Sequence, residues 1–143
     1  MVTDLSVRAD TLHKKIVLNK QAHLPLFSAN RDDLYHIFQN LLDNALKYSS
    51  PHSIIRVNTY LDSAQQPCLV VSIHNEGVPI PAEKIERIWE KFYRADSVSS
   101  SQEGNGLGLG IVQYLVQKYQ GHVDVSSSEQ EGTTFSVYFP VEE

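Results

Sequence analysis

The strongest pattern along the chain is helical. Leu34, Ile37, Phe38, Leu41, Leu42 and Ala45 recur at i, i+3, i+4, i+7, i+8 and i+11. At about 100° per residue they fall in one stripe about 140° wide, which predicts an amphipathic helix over residues 31–47. Ser28, Asn30 and Asp32 punctuate the chain before it. Ser49-Ser50-Pro51 ends it, because proline lacks the N–H that a further turn needs. Ile54–Leu61 and Cys68–His74 read as two strands joined by the polar segment Asp62–Pro67, a predicted hairpin. Pro79 and Pro81 mark a turn leading to a helix near 82–91, since proline is tolerated where the N–H would be unpaired anyway. Gly104–Gly110 opens another helix that runs to about Gln120, with Gly121 as its left-handed C-cap. Val123–Ser126 and Thr133–Phe139 predict a final hairpin turning at Glu129–Gly132. Near the start, Thr3 or Asp4 caps a short helix to about Lys14, with Leu5, Ala9 and Leu12 on one face. Ile16–Leu18 and Leu24–Phe27 read as short strands, and the Ser-rich, apolar-poor segment Ala95–Glu103 as a mobile loop.

Length and composition bound what these elements build. The chain has 143 residues, enough for one domain with a real core and too few for a second. No apolar run approaches the ~20 residues of a membrane span, and residues 1–20 lack the apolar block of a signal peptide. The single Cys68 excludes an internal disulfide framework. The six histidines show no ligand spacing and no zinc cluster, and read as surface or satisfied core residues. The net charge of −5 argues against a domain that grips nucleic-acid backbone. A soluble, cytosolic domain of α/β type is expected.

Five local clusters can carry chemistry. The first is Asn40-Leu-Leu-Asp-Asn44-Ala-Leu-Lys47-Tyr48. Asn40, Asn44, Lys47 and Tyr48 span about 100° of the helix, beside the apolar stripe rather than opposite it, as in a cleft wall. Two amide oxygens, a cation and an aromatic suit a hydrated Mg²⁺, a phosphate and a flat base. A solvated face is the plain alternative. The second is Gly104-Asn-Gly106-Leu107-Gly108-Leu-Gly110, running into a helix. Glycines let backbone N–H groups approach an anion, and a helix N-terminus adds partial positive charge. It lacks the Gly-Lys-Ser/Thr ending of a P-loop, and no strand precedes it as a dinucleotide fingerprint requires. The third, Asn75-Glu-Gly77-Val-Pro79-Ile80, ends a strand and can address a base edge, or simply turn. The fourth is Trp89-Glu-Lys91-Phe92-Tyr93-Arg94, where Lys91 and Arg94 reach for phosphate and the aromatics anchor a loop base. The last is Gly132-Thr133-Thr134-Phe135, a turn entering a strand.

In this order the clusters resemble the ATP-binding catalytic domain of bacterial sensor histidine kinases, within the gyrase, heat-shock chaperone, histidine kinase and mismatch-repair ATPase superfamily. Asn40–Tyr48 resembles its N box, Asn75–Ile80 its first glycine box, Trp89–Arg94 its F box, Gly104–Gly110 its second glycine box and Gly132–Phe135 its final Gly-Thr motif. The resemblance spans Leu5 to Pro140. It implies a two-layer α/β (α+β) sandwich of the Bergerat type: a mixed, mostly antiparallel sheet with helices on one face, forming one domain over 1–143. It implies that Asn40 and Asn44 hold Mg²⁺, that Lys47 contacts phosphate and that Tyr48 packs near adenine or ribose. Arg94 would reach the γ-phosphate. Gly104, Gly106, Leu107 and Gly108 would wrap the phosphates beneath the lid Ala95–Glu103. Asn75, Gly77, Ile80, Phe92 and Thr133 would line the nucleotide, with Asn40, Lys47 and Arg94 as the catalytic set.

Departures from the family pattern stand out in both glycine boxes. The first glycine box usually begins with Asp; here Asn75 stands, whose amide can accept and donate. Pro79 replaces that box's second glycine, and Gly110 stands where the family often has Ala. ATP-hydrolysing relatives carry Glu one helical turn before the metal-binding Asn. Asn40 cannot take a proton, which suits transfer of the γ-phosphoryl to a protein side chain rather than to water.

The implied partners are ATP, a helical dimerisation hairpin carrying the phosphoacceptor histidine, and a response regulator, with the full-length kinase a homodimer. No nucleic acid and no direct membrane insertion are implied. None of the six histidines lies in a His-Glu/Asp-Leu-Arg-Thr-Pro pattern, so the chain is expected to bind ATP without autophosphorylating alone. A serine kinase resembling the anti-sigma factors, or a nucleotide-binding module without transfer activity, remain the other readings.

Overall fold

The computed structural model describes residues 14–25, 27–89 and 107–141. Five strands, β1 (Lys15–Lys20), β2 (Ile54–Asp62), β3 (Cys68–Asn75), β4 (His122–Ser128) and β5 (Gly132–Pro140), form one sheet in the order β1-β2-β3-β5-β4. β1 runs parallel to β2, and every other pairing is antiparallel. Among the described residues two α-helices, α1 (Arg31–Tyr48) and α2 (Leu107–Lys118), pack on each other and on one face of the sheet. The expected mixed, mostly antiparallel sheet with helices on one face is therefore what the chain forms.

The core lies between these layers because the two periodicities meet there. Ile37, Leu41, Leu42, Ala45 and Leu46 of α1 and Val112, Leu115 and Val116 of α2 face Ile55, Val57, Ile73, Phe135, Val137 and Phe139 of the sheet. Alternate strand positions share a face, so one polarity period serves each strand. The α1 N-terminus is closed by Asn30, whose side-chain oxygen accepts from the N–H groups of Asp32 (2.8 Å) and Asp33 (3.3 Å).

Several local expectations differ from the structure. Leu24, Pro25 and Phe27 form no strand. Pro25 has no N–H to give a ladder, and Phe27 instead packs against Phe139 (4.5 Å) and Tyr119 (6.0 Å). The helix expected near 82–91 is a 3-10 helix over Ala82–Arg87, entered through an N–H···O bond from Lys84 to Pro81. Ile85 within it and Ile88 just after it are three apart, a spacing that a 3-10 turn and an α-helix share, so the apolar pattern does not separate the two.

The left-handed residue after α2 is Gln120 (φ 63°), not Gly121. Gln120 and Gly121 donate to the carbonyls of Gln117 and Val116, a Schellman closure. Glycine is needed at 121 for space instead: a Cβ there would lie 2.2 Å from the Tyr138 carbonyl oxygen. α2 ends at Lys118 rather than Gln120, and Gly108 and Gly110 lie inside it rather than before it. The expected helix over Thr3–Lys14 and mobile loop Ala95–Glu103 fall outside the described residues, apart from Lys14.

Candidate nucleotide site

The polar edge of α1 is built by its position in the helix. Ala45 and Leu46 are buried, while Asn40, Asn44, Lys47 and Tyr48 are half-buried along the flank, as the periodicity predicted. The Asn40 amide nitrogen donates back to the His36 carbonyl at 2.7 Å. That uses one of the two N–H donors of its NH₂ group and points that end back to the helix, while Oδ1 is the atom a hard cation takes. Lys47 closes the last turn, where the helix carbonyls favour a cation, and its Nζ lies 5.4 Å from the Tyr48 ring centroid.

The end of α1 is welded to the turn after β3. Ser49 and Gly77 form an isolated antiparallel bridge, and the Ser50 N–H donates to the Glu76 carbonyl at 2.8 Å. A Cβ at Gly77 would sit 2.1 Å from the Tyr48 carbonyl oxygen. The close approach that requires glycine here is therefore to the N box backbone itself. Lys14, almost fully buried, reinforces the same end by donating to the carbonyls of Leu46 (2.6 Å) and Ser49 (2.9 Å). A buried ammonium needs such acceptors, and helix C-terminal carbonyls are among the best available.

Asn75 ends β3 with only 2% of its surface exposed, and Thr133, the second residue of β5, lies beside it in register, also buried. Both lie on the helix-facing side, two residues from Ile73 and Phe135 of the core. They form a polar end to an otherwise apolar face. Ile80 is partly buried against that core, and its N–H donates to Ser127 Oγ at 2.8 Å. Trp89, the first residue of the segment resembling the F box, packs edge-on against Phe135 at 5.8 Å.

The structure thus sets Gly77 against Tyr48, pairs Asn75 with Thr133 and ties Ile80 to Thr133 through Ser127, while Asn40, Asn44 and Lys47 follow the α1 flank that ends at Tyr48. Phe92, Arg94, Gly104 and Gly106 lie outside the described residues. Leu107 and Gly108 are placed only as the first residues of α2. Sequence reasoning missed Lys14 and Ser127. Lys14 reaches carbonyls 32 and 35 residues away, and no local pattern announces such a contact. Ser127 sits in a Ser126–Ser128 run whose even polarity hides which hydroxyl faces inward.

At the far end, α1 and α2 are latched. Asp33 accepts from Lys118 Nζ (2.9 Å) and from the Tyr119 hydroxyl (2.5 Å), while Tyr119 accepts from the Asn30 N–H (2.9 Å). The Lys118 and then the Tyr119 hydrogen bond hold the Asp33 carboxyl below its ordinary value of 3.8, and the Asp33 bond holds Lys118 above its own. On the solvent face of the sheet, His74 bonds Thr134 (2.8 Å) and Glu76 (3.1 Å), and His122 stacks on Tyr138 (4.3 Å). These two are satisfied histidines. Among the described residues no group of His, Cys, Asp and Glu could hold a metal ion.

The chain is similar to the signal transduction histidine-protein kinase ArlS of Staphylococcus epidermidis, with 38% identity over 113 residues, 78% of this chain and 24% of ArlS. Among solved structures it is similar to the mycobacterial sensor histidine kinase MprB, at 27% identity and a TM-score of 0.75, covering 97% of this chain and 93% of that one. Full-length ShkA in complex with AMPPNP shares the fold, with a TM-score of 0.82 at 24% identity over 97% of this chain and 28% of ShkA. The chain spans 24–34% of the length of the curated relatives it matches. Residues 29–143 match the family of histidine kinase-, DNA gyrase B-, and HSP90-like ATPases, and the chain belongs to that family.

Proposed function

We propose that this chain is the ATP-binding catalytic domain of a two-component sensor histidine kinase. It binds MgATP and donates the γ-phosphoryl group to a histidine on a separate dimerisation and phosphoacceptor hairpin. The observation that carries this reading is the Ser49–Gly77 bridge, which locks the α1 flank to the strand end bearing Asn75 and Thr133. Phosphate-directed and base-directed groups thereby share one rigid frame. The α2 N-terminus adds to it. The latch at Lys118 pins the C-terminal end of α2 to the start of α1, and Leu107 begins α2 about 16 Å back along its axis.

In this reading Asn40 and Asn44 hold Mg²⁺ through amide oxygens, and the ion supplies charge neutralisation on the phosphates when bound. Lys47 neutralises phosphate, Tyr48 packs on the nucleoside, and Asn75 and Thr133 read the base edge beside Gly77 and Ile80. Phe92, Arg94, Gly104, Gly106, Leu107 and Gly108 complete the site. Asn40, being no base, leaves water unactivated and the γ-phosphoryl available to a histidine. The global charge of −5 does not oppose an anionic ligand, because contacts within a few ångströms outweigh charges screened beyond about 8 Å.

A response regulator downstream and a homodimeric full-length kinase follow from the same assignment, as does a cytoplasmic setting. No helix among the described residues is long and apolar enough to cross a membrane. Calorimetric titration with MgATP tests the site. Asn44→Ala is expected to weaken binding at least tenfold in Mg²⁺ while leaving the melting temperature of the free protein unchanged. Equal affinity in the two proteins would remove Asn44 from the metal site.

A further inference from the structure

Three polar side chains lie side by side across three strands at one end of the apolar sheet face. Asn75 of β3 pairs with Thr133 of β5, and Thr133 pairs with Ser127 of β4. Their same-face neighbours Ile73, Phe135 and Val125 belong to the core or pack against it, so all three point toward the helices. Thr133 Oγ1 and Ser127 Oγ are 2.6 Å apart, and Ser127 Oγ also accepts from the Ile80 N–H at 2.8 Å. Ser127 therefore joins two parts of the base-binding side, the turn ending at Ile80 and the Thr133 hydroxyl.

We infer that Ser127 is a positioning residue for base recognition, acting through Thr133. Neighbouring strands are about 4.8 Å apart, so Asn75 and Thr133 can address one purine edge together, whereas Ser127 is about 10 Å from Asn75 and cannot join them. With one lone pair occupied by Ile80, Ser127 meets Thr133 with its proton or its other lone pair. Where Thr133 donates to Ser127, its hydroxyl presents only lone pairs to the base; where Ser127 donates, one Thr133 lone pair is taken and its own proton is held away from Ser127. A buried hydroxyl held this way discriminates bases more sharply than a free one, because a mismatched edge leaves it unpaired.

This inference rests on the nucleotide-site reading above. A double-mutant cycle in the intact chain tests it, with ATP and ITP competing against a fluorescent nucleotide in Mg²⁺. Ser127→Ala is expected to weaken ATP about tenfold and to narrow the ATP-to-ITP preference, the weight of one buried hydrogen bond. In a Thr133→Val background the same substitution is expected to change ATP affinity less than twofold. Ser127→Thr is expected to restore the preference. Melting curves without nucleotide verify that each variant is folded, and Ser127→Cys, which keeps the shape with a weak donor, replaces Ser127→Ala if that variant is not. An equal loss in both backgrounds, or an equal loss for ATP and ITP, would reduce Ser127 to a support of the turn and overturn the inference. A wild-type protein that binds no MgATP would instead sink the nucleotide reading itself.

Discussion

Gly77 is where two sequence motifs meet. From sequence it reads as a glycine allowing close approach to a base. The structure shows close approach to the Tyr48 carbonyl, with a Cβ predicted at 2.1 Å from a backbone oxygen that cannot swing aside. Gly77→Ala is therefore expected to open the Ser49 bridge and destabilise the fold by about 2 kcal/mol or more. MgATP affinity is expected to fall with it. Urea denaturation measures the first effect, and an unchanged midpoint would show that the turn relaxes freely. The residue identities at Asn40, Asn44, Lys47, Tyr48, Asn75 and Thr133 were legible from sequence because each motif is short and its chemistry lies in side-chain type. Lys14 and Ser127 were not, since their importance lies wholly in partners: one caps carbonyls of α1, the other bridges Ile80 and Thr133.

At the scale of elements, the Asp33–Lys118–Tyr119 latch sets how α2 stands against α1, and it predicts a pH dependence. The folded Asp33 pKa is depressed below 3.8, so its contribution is fully present above the unfolded value and is lost as pH falls through the folded one. Denaturation midpoints at pH 7 are expected to be higher for wild type than for Asp33→Asn. The gap is expected to close below about pH 4 as the carboxylate protonates. A gap of the same size at pH 3 would remove the carboxylate charge from the latch. The elements themselves were legible in proportion to the length of their pattern. α1 shows four turns of consistent periodicity, while Leu24–Phe27 and the segment after Pro81 are too short for period to decide. Pro25, which has no N–H to give a ladder, decided the first of them.

For the whole molecule, the apolar layer between sheet and helices holds the candidate site on one frame, and in the proposed function the chemistry depends on a second component. With MgATP and the phosphoacceptor hairpin of its kinase supplied in trans, this chain is expected to yield acid-labile phosphohistidine on the hairpin. Alone it is expected to yield none. Acid-stable phosphoserine in that assay would point to a serine kinase instead. The sequence by itself determined the α1 stripe, the two hairpins, the ordered motifs and the family they resemble, because side-chain chemistry and local periodicity are short-range information. Tertiary structure alone decided the neighbours. Register put Asn75, Thr133 and Ser127 in one row, a backbone bridge set Gly77 against Tyr48, and Lys14 came to the end of a helix 32 residues away. Those contacts depend on how layers pack and strands align, and neither quantity is written in any single segment of the chain.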